Sequence, residues 1–183
     1  MGDPKKLRKK YTKPNHPWQQ MRIEEERELM RDYGMKNKKE LWKMVSILKN
    51  YKKRVKKLIP RKDKQAKIEE QELLKKAKSL NLVEKDAKIE DILGKSVRQI
   101  LDRRLQTIVH KKGLASSIKQ ARQFVTHEHV VVNNKMVNSP SYLVRSGEER
   151  FVNLTQKMAN KIDTTPKEEI LEPEEKKEEA KTK

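Results

Sequence analysis

The hydrophobic positions in the first half of the chain recur every three or four residues, which is the period of an amphipathic helix. The pattern is clearest over residues 37–59, where the apolar side chains fall on one stripe: Leu41, Val45, Leu48, Tyr51, Val55 and Leu58. The same period predicts helices over 18–33 and 62–80. Gly34 and Pro60 stand where the helices before them should end.

Three pairs of polar residues mark further helix starts, because a side chain at the N-cap and a Glu or Gln three residues later can satisfy each other's backbone N–H groups. The pairs are Asn37 with Glu40, Ser96 with Gln99, and Ser117 with Gln120. We expect the second pair to open a helix that ends near Gly113. The third pair should open a shorter helix that carries Phe124 and Val125.

After His129 the hydrophobic pattern becomes that of short strands. Residues 130–132 and 135–137 read as a hairpin, because Asn133 and Asn134 tolerate the positive φ of a tight turn. Segments 142–144 and 150–154 predict two more strands. The predicted fold class is therefore α+β: a helix-rich basic N-terminal region, then a small domain of two helices and a short antiparallel sheet.

Composition divides this chain into four parts. Only 33% of the 183 residues are hydrophobic, whereas 40% are charged, so the chain has little material for a large core. We expect an extended basic arm over 1–17, a helical region over 18–95 and a compact RNA-binding domain over 96–161. An acidic tail over 162–183, rich in Glu and Lys without aromatic residues, should be disordered.

The formal net charge of +19 makes a polyanion the first partner to consider. Residues 1–60 carry most of this surplus. The longest apolar runs are only three residues, so neither a membrane span nor a secretory signal is expected. The absence of cysteine fits the reducing cytoplasm.

One face of the predicted helix over 37–59 is almost entirely lysine. Its members are Lys39, Lys43, Ser46, Lys49, Lys53 and Lys57. A solvated face normally mixes Glu with Lys, yet residues 41–61 contain no acidic side chain. We therefore favour binding of nucleic-acid phosphates over the alternative of an ordinary solvated surface.

Aromatic residues lie among these cations: Trp18, Tyr33, Trp42 and Tyr51. Such rings can stack on unpaired bases or pack one helix on another. Packing is favoured for Tyr51, which lies on the apolar stripe, and both interpretations stay open for Trp18.

The two predicted helices of the compact domain also present polar faces. The first shows Gln99, Arg103, Arg104, Gln106 and His110, and the second shows Lys119, Arg122 and Gln123. Spacing alone supports RNA contact and solvated surface equally.

Catalytic and cofactor motifs are not supported. Gly94-Lys95-Ser96 lacks the upstream glycine of a phosphate-binding loop, and the His127 and His129 pair lacks further metal ligands nearby. We therefore expect no enzyme activity and no cofactor.

Two stretches of sequence resemble a known family. The first comprises residues 2–11 (GDPKKLRKKY), 16–18 (HPW), 22–30 (RIEEERELM), 33–34 (YG) and 40–42 (ELW). The second is residues 102–144, DRRLQTIVHKKGLASSIKQARQFVTHEHVVVNNKMVNSPSYLV. Together they resemble the archaeal and eukaryotic form of ribosomal protein S four, whose RNA-binding module also occurs in some rRNA-modifying enzymes and a tyrosine tRNA synthetase.

The resemblance implies a small-subunit protein that binds small-subunit rRNA directly and early, at a multi-helix junction. It also implies contact with ribosomal protein S five and other small-subunit proteins, proximity to the mRNA entry channel and an influence on decoding accuracy. The RNA-facing positions implied in the module are Arg103, Arg104, Lys119, Arg122, His127, His129, Asn133 and Lys135. Those implied in the arm are Lys5, Lys6, Arg8, Lys9, Lys10 and Lys13.

Two alternatives use the same module: an RNA-modifying enzyme and a factor that rescues stalled ribosomes. The charged, glycine-poor first half disfavours the enzyme, and the archaeal-type opening disfavours the factor. The chain departs from the family at Glu128 and Asn134, where the family commonly has glycine.

Overall fold

A computed structural model describes residues 9–84 and 87–155, and it confirms the α+β class. The helices are α1 (Gln20–Asp32), α2 (Lys38–Leu58), α3 (Lys64–Ser79), α4 (Val97–Asp102), α5 (Leu105–Lys111) and α6 (Ile118–Thr126). The strands are β1 (Val130–Val132), β2 (Lys135–Met136) and β3 (Val152–Leu154), and 3-10 turns form at Ile89–Ile92 and Glu149–Phe151. The predictions for Lys5, Lys6, Arg8 and the tail from residue 162 lie outside the described residues.

Helix α2 contributes to two hydrophobic clusters, as its continuous apolar stripe predicts. Near its start, Leu41 and Leu48 pack with α4 residues such as Leu101. Near its end, Val55 and Leu58 join buried residues of α3 and of the 3-10 turn. One long helix therefore connects the N-terminal helices with the start of the compact domain.

The expectation of a single helix from Ser96 to near Gly113 is wrong. The chain breaks between α4 and α5, where Arg104 adopts an extended conformation (φ −69°, ψ 141°). There the backbone bonds to another segment: the Leu105 N–H donates to the Tyr142 carbonyl over 2.8 Å, and the Val144 N–H donates to the Arg103 carbonyl over 2.9 Å. Tertiary pairing thus overrides the helical period, and the described part of the domain has three short helices instead of two.

The strands form a small sheet in the order β2-β1-β3. The predicted hairpin is confirmed: β1 pairs antiparallel with β2, and Asn133 and Asn134 both have positive φ (50° and 62°). The prediction of a strand at 142–144 is wrong, because only Leu143 forms a bridge, with Arg104. The last strand begins later than expected, at Val152.

The three predicted capping boxes have different outcomes. That of Ser96 and Gln99 is present. Ser117 accepts the Gln120 N–H, but Gln120 in return accepts the N–H of Ser116 instead of that of Ser117. Asn37 stands at the start of α2 without a side-chain cap, because Glu40 is engaged elsewhere.

The chain divides into a unit of Met1–Asn153 and a second unit, Leu154–Lys183, of which only residues 154 and 155 are described. None of the helices in the described ranges is long and apolar enough to cross a membrane.

Candidate nucleic-acid interface

The lysine stripe, which we define as Lys39, Lys43, Lys49, Lys53 and Lys57, lies on the exposed side of α2. All five side chains are exposed, as predicted. Ser46, in the middle of this face, is instead buried, and its Oγ accepts the backbone N–H of Thr12 over 3.0 Å. The lysine stripe therefore has one covered position, and the arm covers it.

The arm residue next to Thr12 makes a second contact with α2. The ring of Tyr11 stacks on that of Trp42, with centroids 6.1 Å apart and an interplanar angle of 29°. Trp42 is oriented in turn by its Nε1, which donates to Glu26 Oε1 over 3.0 Å. Sequence reasoning missed Tyr11 and Ser46, since neither is charged. The only signal was the single non-lysine position on a lysine face.

Glu40, in the first turn of α2, accepts hydrogen bonds from two arginines of the compact domain. Arg122 Nη2 lies 2.7 Å from its Oε1 and Arg104 Nη2 lies 2.8 Å from its Oε2. Burial raises the pKa of Glu40, but the hydrogen bonds from Arg122 and Arg104 outweigh it, so the net pKa lies below the ordinary value. This carboxylate joins α2 to α6.

Two arginines occupy a different environment from the one predicted for an RNA surface. Arg104 is 1% exposed, which leaves no surface for a phosphate to approach. Arg103 is also buried; it pairs with Glu149 over 2.8 Å and donates to the Val144 carbonyl. Their charges hold the domain together because each is satisfied by protein acceptors.

Gln106 and Gly34 mark the closest approach between the N-terminal helices and the compact domain. The amide of Gln106, fully buried, donates to the carbonyl oxygens of Gly34 and Ile118 over 3.2 and 3.1 Å. Gly34 has φ +54°, and a Cβ there would lie 2.6 Å from Ile118 Cγ2. Only glycine fits this position without displacing its neighbours.

The remaining predicted residues of the module lie on or after α6. Lys119, His127, Asn133 and Lys135 are exposed, while His129 is half-buried. The rings of His127 and His129 stack with centroids 6.2 Å apart. Arg122 is half-buried, since its guanidinium points to Glu40.

The α6 residues and the lysine stripe belong to neighbouring surfaces. The Arg122–Glu40 bond places α6 against the first turn of α2, and Lys43 lies one turn along from Glu40. We call the exposed cations of both elements, with those of the arm, the cationic surface.

The departures from glycine are explained by backbone conformation. Glu128 has φ +61° and Asn134 has φ +62°, a region that glycine adopts without strain. Glu128 Oε1 accepts from Asn138 Nδ2 over 3.1 Å, so its carboxylate has a partner beside the hairpin. Its negative charge nonetheless stands next to His127 and His129.

The aromatic residues divide as the apolar pattern indicates. Tyr51 packs against the cluster at the end of α2, as predicted, and burial raises its pKa. Trp18 is 89% exposed and covers nothing in the described residues. Across residues 9–84 and 87–155, no three histidine or acidic side chains are grouped as metal ligands would be.

A lysine stripe without acidic neighbours, beside a small α+β module with exposed basic residues, defines an RNA-binding protein. Residues 103–149 match the S4 domain. The chain is 46% identical over 152 residues to small ribosomal subunit protein uS4 of Ignicoccus hospitalis, which covers 83% of this chain and 92% of that protein. It is 50% identical over 149 residues to the uS4 of Methanococcus maripaludis strain C7, covering 81% and 84% of the two chains. The uS4 of Methanococcus vannielii is 47% identical over 153 residues, covering 83% and 86%.

The chain therefore belongs to the uS4 family of small ribosomal subunit proteins. The predicted resemblance to ribosomal protein S four is confirmed, as are the ribosomal and RNA-binding class and the structural, non-enzymatic nature of the protein.

Proposed function

We propose that this chain is a structural constituent of the small ribosomal subunit in the cytoplasm and binds small-subunit rRNA directly through the cationic surface. The observation that carries the proposal is the lysine stripe: five exposed lysines on one helix face, in a segment, 41–61, without an acidic residue. Unrelieved repulsion along a helix becomes favourable when phosphates neutralise it and release their counterions.

The proposed contacts fall in three groups. The arm contributes Lys5, Lys6, Arg8, Lys9, Lys10, Lys13 and the exposed ring of Trp18; α2 contributes the lysine stripe; the module contributes Lys119, Arg122, His127, His129, Asn133 and Lys135. Arg103 and Arg104 act through the backbone and side chains that they hold, because their guanidinium groups are buried. Most affinity should come from phosphates and from the shape of a folded junction.

The family supports finer proposals as well. Early binding at an rRNA junction would let the chain nucleate assembly of the subunit body. Contact with ribosomal protein S five beside the mRNA entry channel would give it an influence on decoding accuracy. These proposals rest on the resemblance of residues 1–161 to the family.

Sedimentation of ribosomes at rising salt tests whether the chain is a permanent subunit. We expect it to stay with the small subunit when soluble factors have left. Release at modest salt together with those factors would favour the alternative, a ribosome-rescue factor, and would contradict the proposal.

A charge-removal series tests the surface itself. Replacing Lys49, Lys53 and Lys57 together with Gln should weaken binding to naked small-subunit rRNA and reduce the dependence of log K on log salt by about 2, because each lost phosphate contact contributes roughly 0.7–0.9 to that slope. The matched control replaces Lys64, Lys67 and Lys75 on α3, a helix that mixes lysine with glutamate. Equal effects of the two triple variants would contradict a specific role for the lysine stripe.

A further inference from the structure

We infer that the arm crosses the lysine stripe at Ser46, so that arm and helix form one composite surface for a single segment of RNA backbone, with Ser46 and Trp42 as positioning residues. This inference rests on the proposed function and deepens it. It replaces two independent cationic elements, a loose arm and a helix face, by one site of defined geometry.

Two contacts fix the crossing point. The Thr12 N–H lies 3.0 Å from Ser46 Oγ, and the neighbouring ring of Tyr11 stacks on Trp42. Trp42 and Ser46 are four residues apart on α2 and hence lie one turn apart on the same side of the helix. Adjacent arm residues thus contact adjacent turns.

The crossing point explains why the lysine face has a serine in its middle. Ser46 is 8% exposed because the arm covers it. Its hydroxyl accepts the backbone N–H, which a lysine ammonium cannot do because it has no acceptor. A lysine at this position would also repel the arm.

Docking of the arm brings cations close to cations. Lys13 follows Thr12 directly, and Lys9 and Lys10 precede Tyr11 by one or two residues. Lys43 and Lys49 flank Ser46 by one turn on either side, and all five ammonium-bearing side chains are exposed. These groups lie within about 10 Å of each other, near the screening length of physiological salt.

Only a hydrogen bond and a ring stack hold the arm against this repulsion. A phosphate backbone between the two rows of cations would reverse its sign, so binding of RNA and docking of the arm stabilise each other. The fitting ligand is a single strand of phosphates that runs between arm and helix. Its recognition requires no base-specific contact.

Adding a lysine to the helix discriminates between composite and independent elements. In the full chain, bound to naked small-subunit rRNA of Methanococcus maripaludis, Ser46→Lys adds a charge but displaces the arm. We expect affinity to fall by about tenfold and the salt slope to decrease by about 1–2, because contacts of the arm are lost. The matched control is Asn50→Lys, an exposed position one turn further along the same side. There affinity and slope should both rise.

Fluorescence of Trp42 measures the docking itself. The chain has only two tryptophans, so in a Trp18→Phe background the emission comes from Trp42 alone. Ser46→Lys and Tyr11→Ala should each increase its quenching by acrylamide in the free protein, while circular dichroism verifies that the helices persist. If Ser46→Lys does not fold, Ser46→Ala combined with Tyr11→Ala takes its place, with the same expected loss of affinity and slope.

If Ser46→Lys strengthens binding as Asn50→Lys does, or Trp42 quenching stays unchanged, the composite surface is overturned while the proposed rRNA binding stands. If Asn50→Lys and the triple Gln variant of the lysine stripe both leave affinity unchanged, the proposed surface fails, and the inference fails with it.

Discussion

Arg122 Nη2 lies 2.7 Å from Glu40 Oε1, which connects the middle of α6 to the first turn of α2 across 82 positions of sequence. Arg104 binds the other oxygen of the same carboxylate over 2.8 Å and is itself 1% exposed. This arrangement removes two arginines from the list of simple RNA contacts and gives them a structural task. It also joins the lysine stripe to the S4 domain.

Glu40→Gln should destabilise the protein by roughly 3 kcal/mol, since it leaves the buried charge of Arg104 without its counter-charge. Urea unfolding followed by circular dichroism measures the change. Glu72→Gln is the control, because Glu72 pairs with Lys76 in an exposed position and should contribute less than about 1 kcal/mol. Equal losses in the two variants would contradict a structural role for the Glu40 bonds.

The same carboxylate should give the protein an acid-sensitive component of stability. The pKa of Glu40 is lowered in the folded state from its model value of 4.5. A lowered pKa stabilises the folded state above the unfolded value, and this contribution is lost as the pH falls through the folded one. The free energy of unfolding, measured between neutral pH and acid, should therefore decline less steeply in Glu40→Gln than in the unmodified chain. Parallel curves would contradict the assignment.

Tyr33 should contribute at the opposite end of the pH scale. Its hydroxyl donates to Asp102 Oδ1 over 3.1 Å, and burial together with the Asp102 charge raises its pKa to about 12. The contribution is complete below the unfolded pKa of 10.0 and is lost as the pH rises through about 12. Tyr33→Phe should lose about 1 kcal/mol at neutral pH. It should also flatten the alkaline decline; if that decline is unchanged, Tyr33 is not its source.

Two glycines with positive φ separate backbone strain from crowding. Gly34 has φ +54° and would place a Cβ 2.6 Å from Ile118 Cγ2, whereas Gly113 has φ +71° with nothing within 4 Å. Gly113→Ala should destabilise by about 1 kcal/mol through strain alone. Gly34→Ala should add an overpacking penalty of about 1–3 kcal/mol. Thermal unfolding compares them, and similar losses would mean that the Gly34 approach is looser than the structure has it.

Glu128 should weaken RNA binding through its charge and stability through its backbone. Glu128→Gly relieves a φ of +61°, a strain of about 1 kcal/mol, but gives up the bond from Asn138. Glu128→Gln keeps the strain and an acceptor for Asn138 while it removes the charge. We expect both variants to raise rRNA affinity a few-fold and only the glycine variant to change the melting temperature appreciably. Unchanged affinity in both would place Glu128 away from the RNA.

Local periodicity was sufficient for the elements that depend on near neighbours. The apolar stripe of α2, the stop at Gly34 and the Asn133–Asn134 turn are consequences of residues a few positions apart, and the structure bears them out. The break at Arg104 could not be read in the same way. It exists because the backbone there bonds to residues 142–144, about forty positions away.

The sequence by itself determined the family, the α+β class, the charge and the exposure of the lysine stripe, since these follow from composition, spacing and motif. Only the tertiary structure decided which cations are free for RNA. Lysine and arginine look alike in a charge pattern, but Glu40 and Glu149 bind three of the arginines, and the arm covers Ser46 between the lysines. Such partners are distant in sequence, and their contacts depend on how the helices pack.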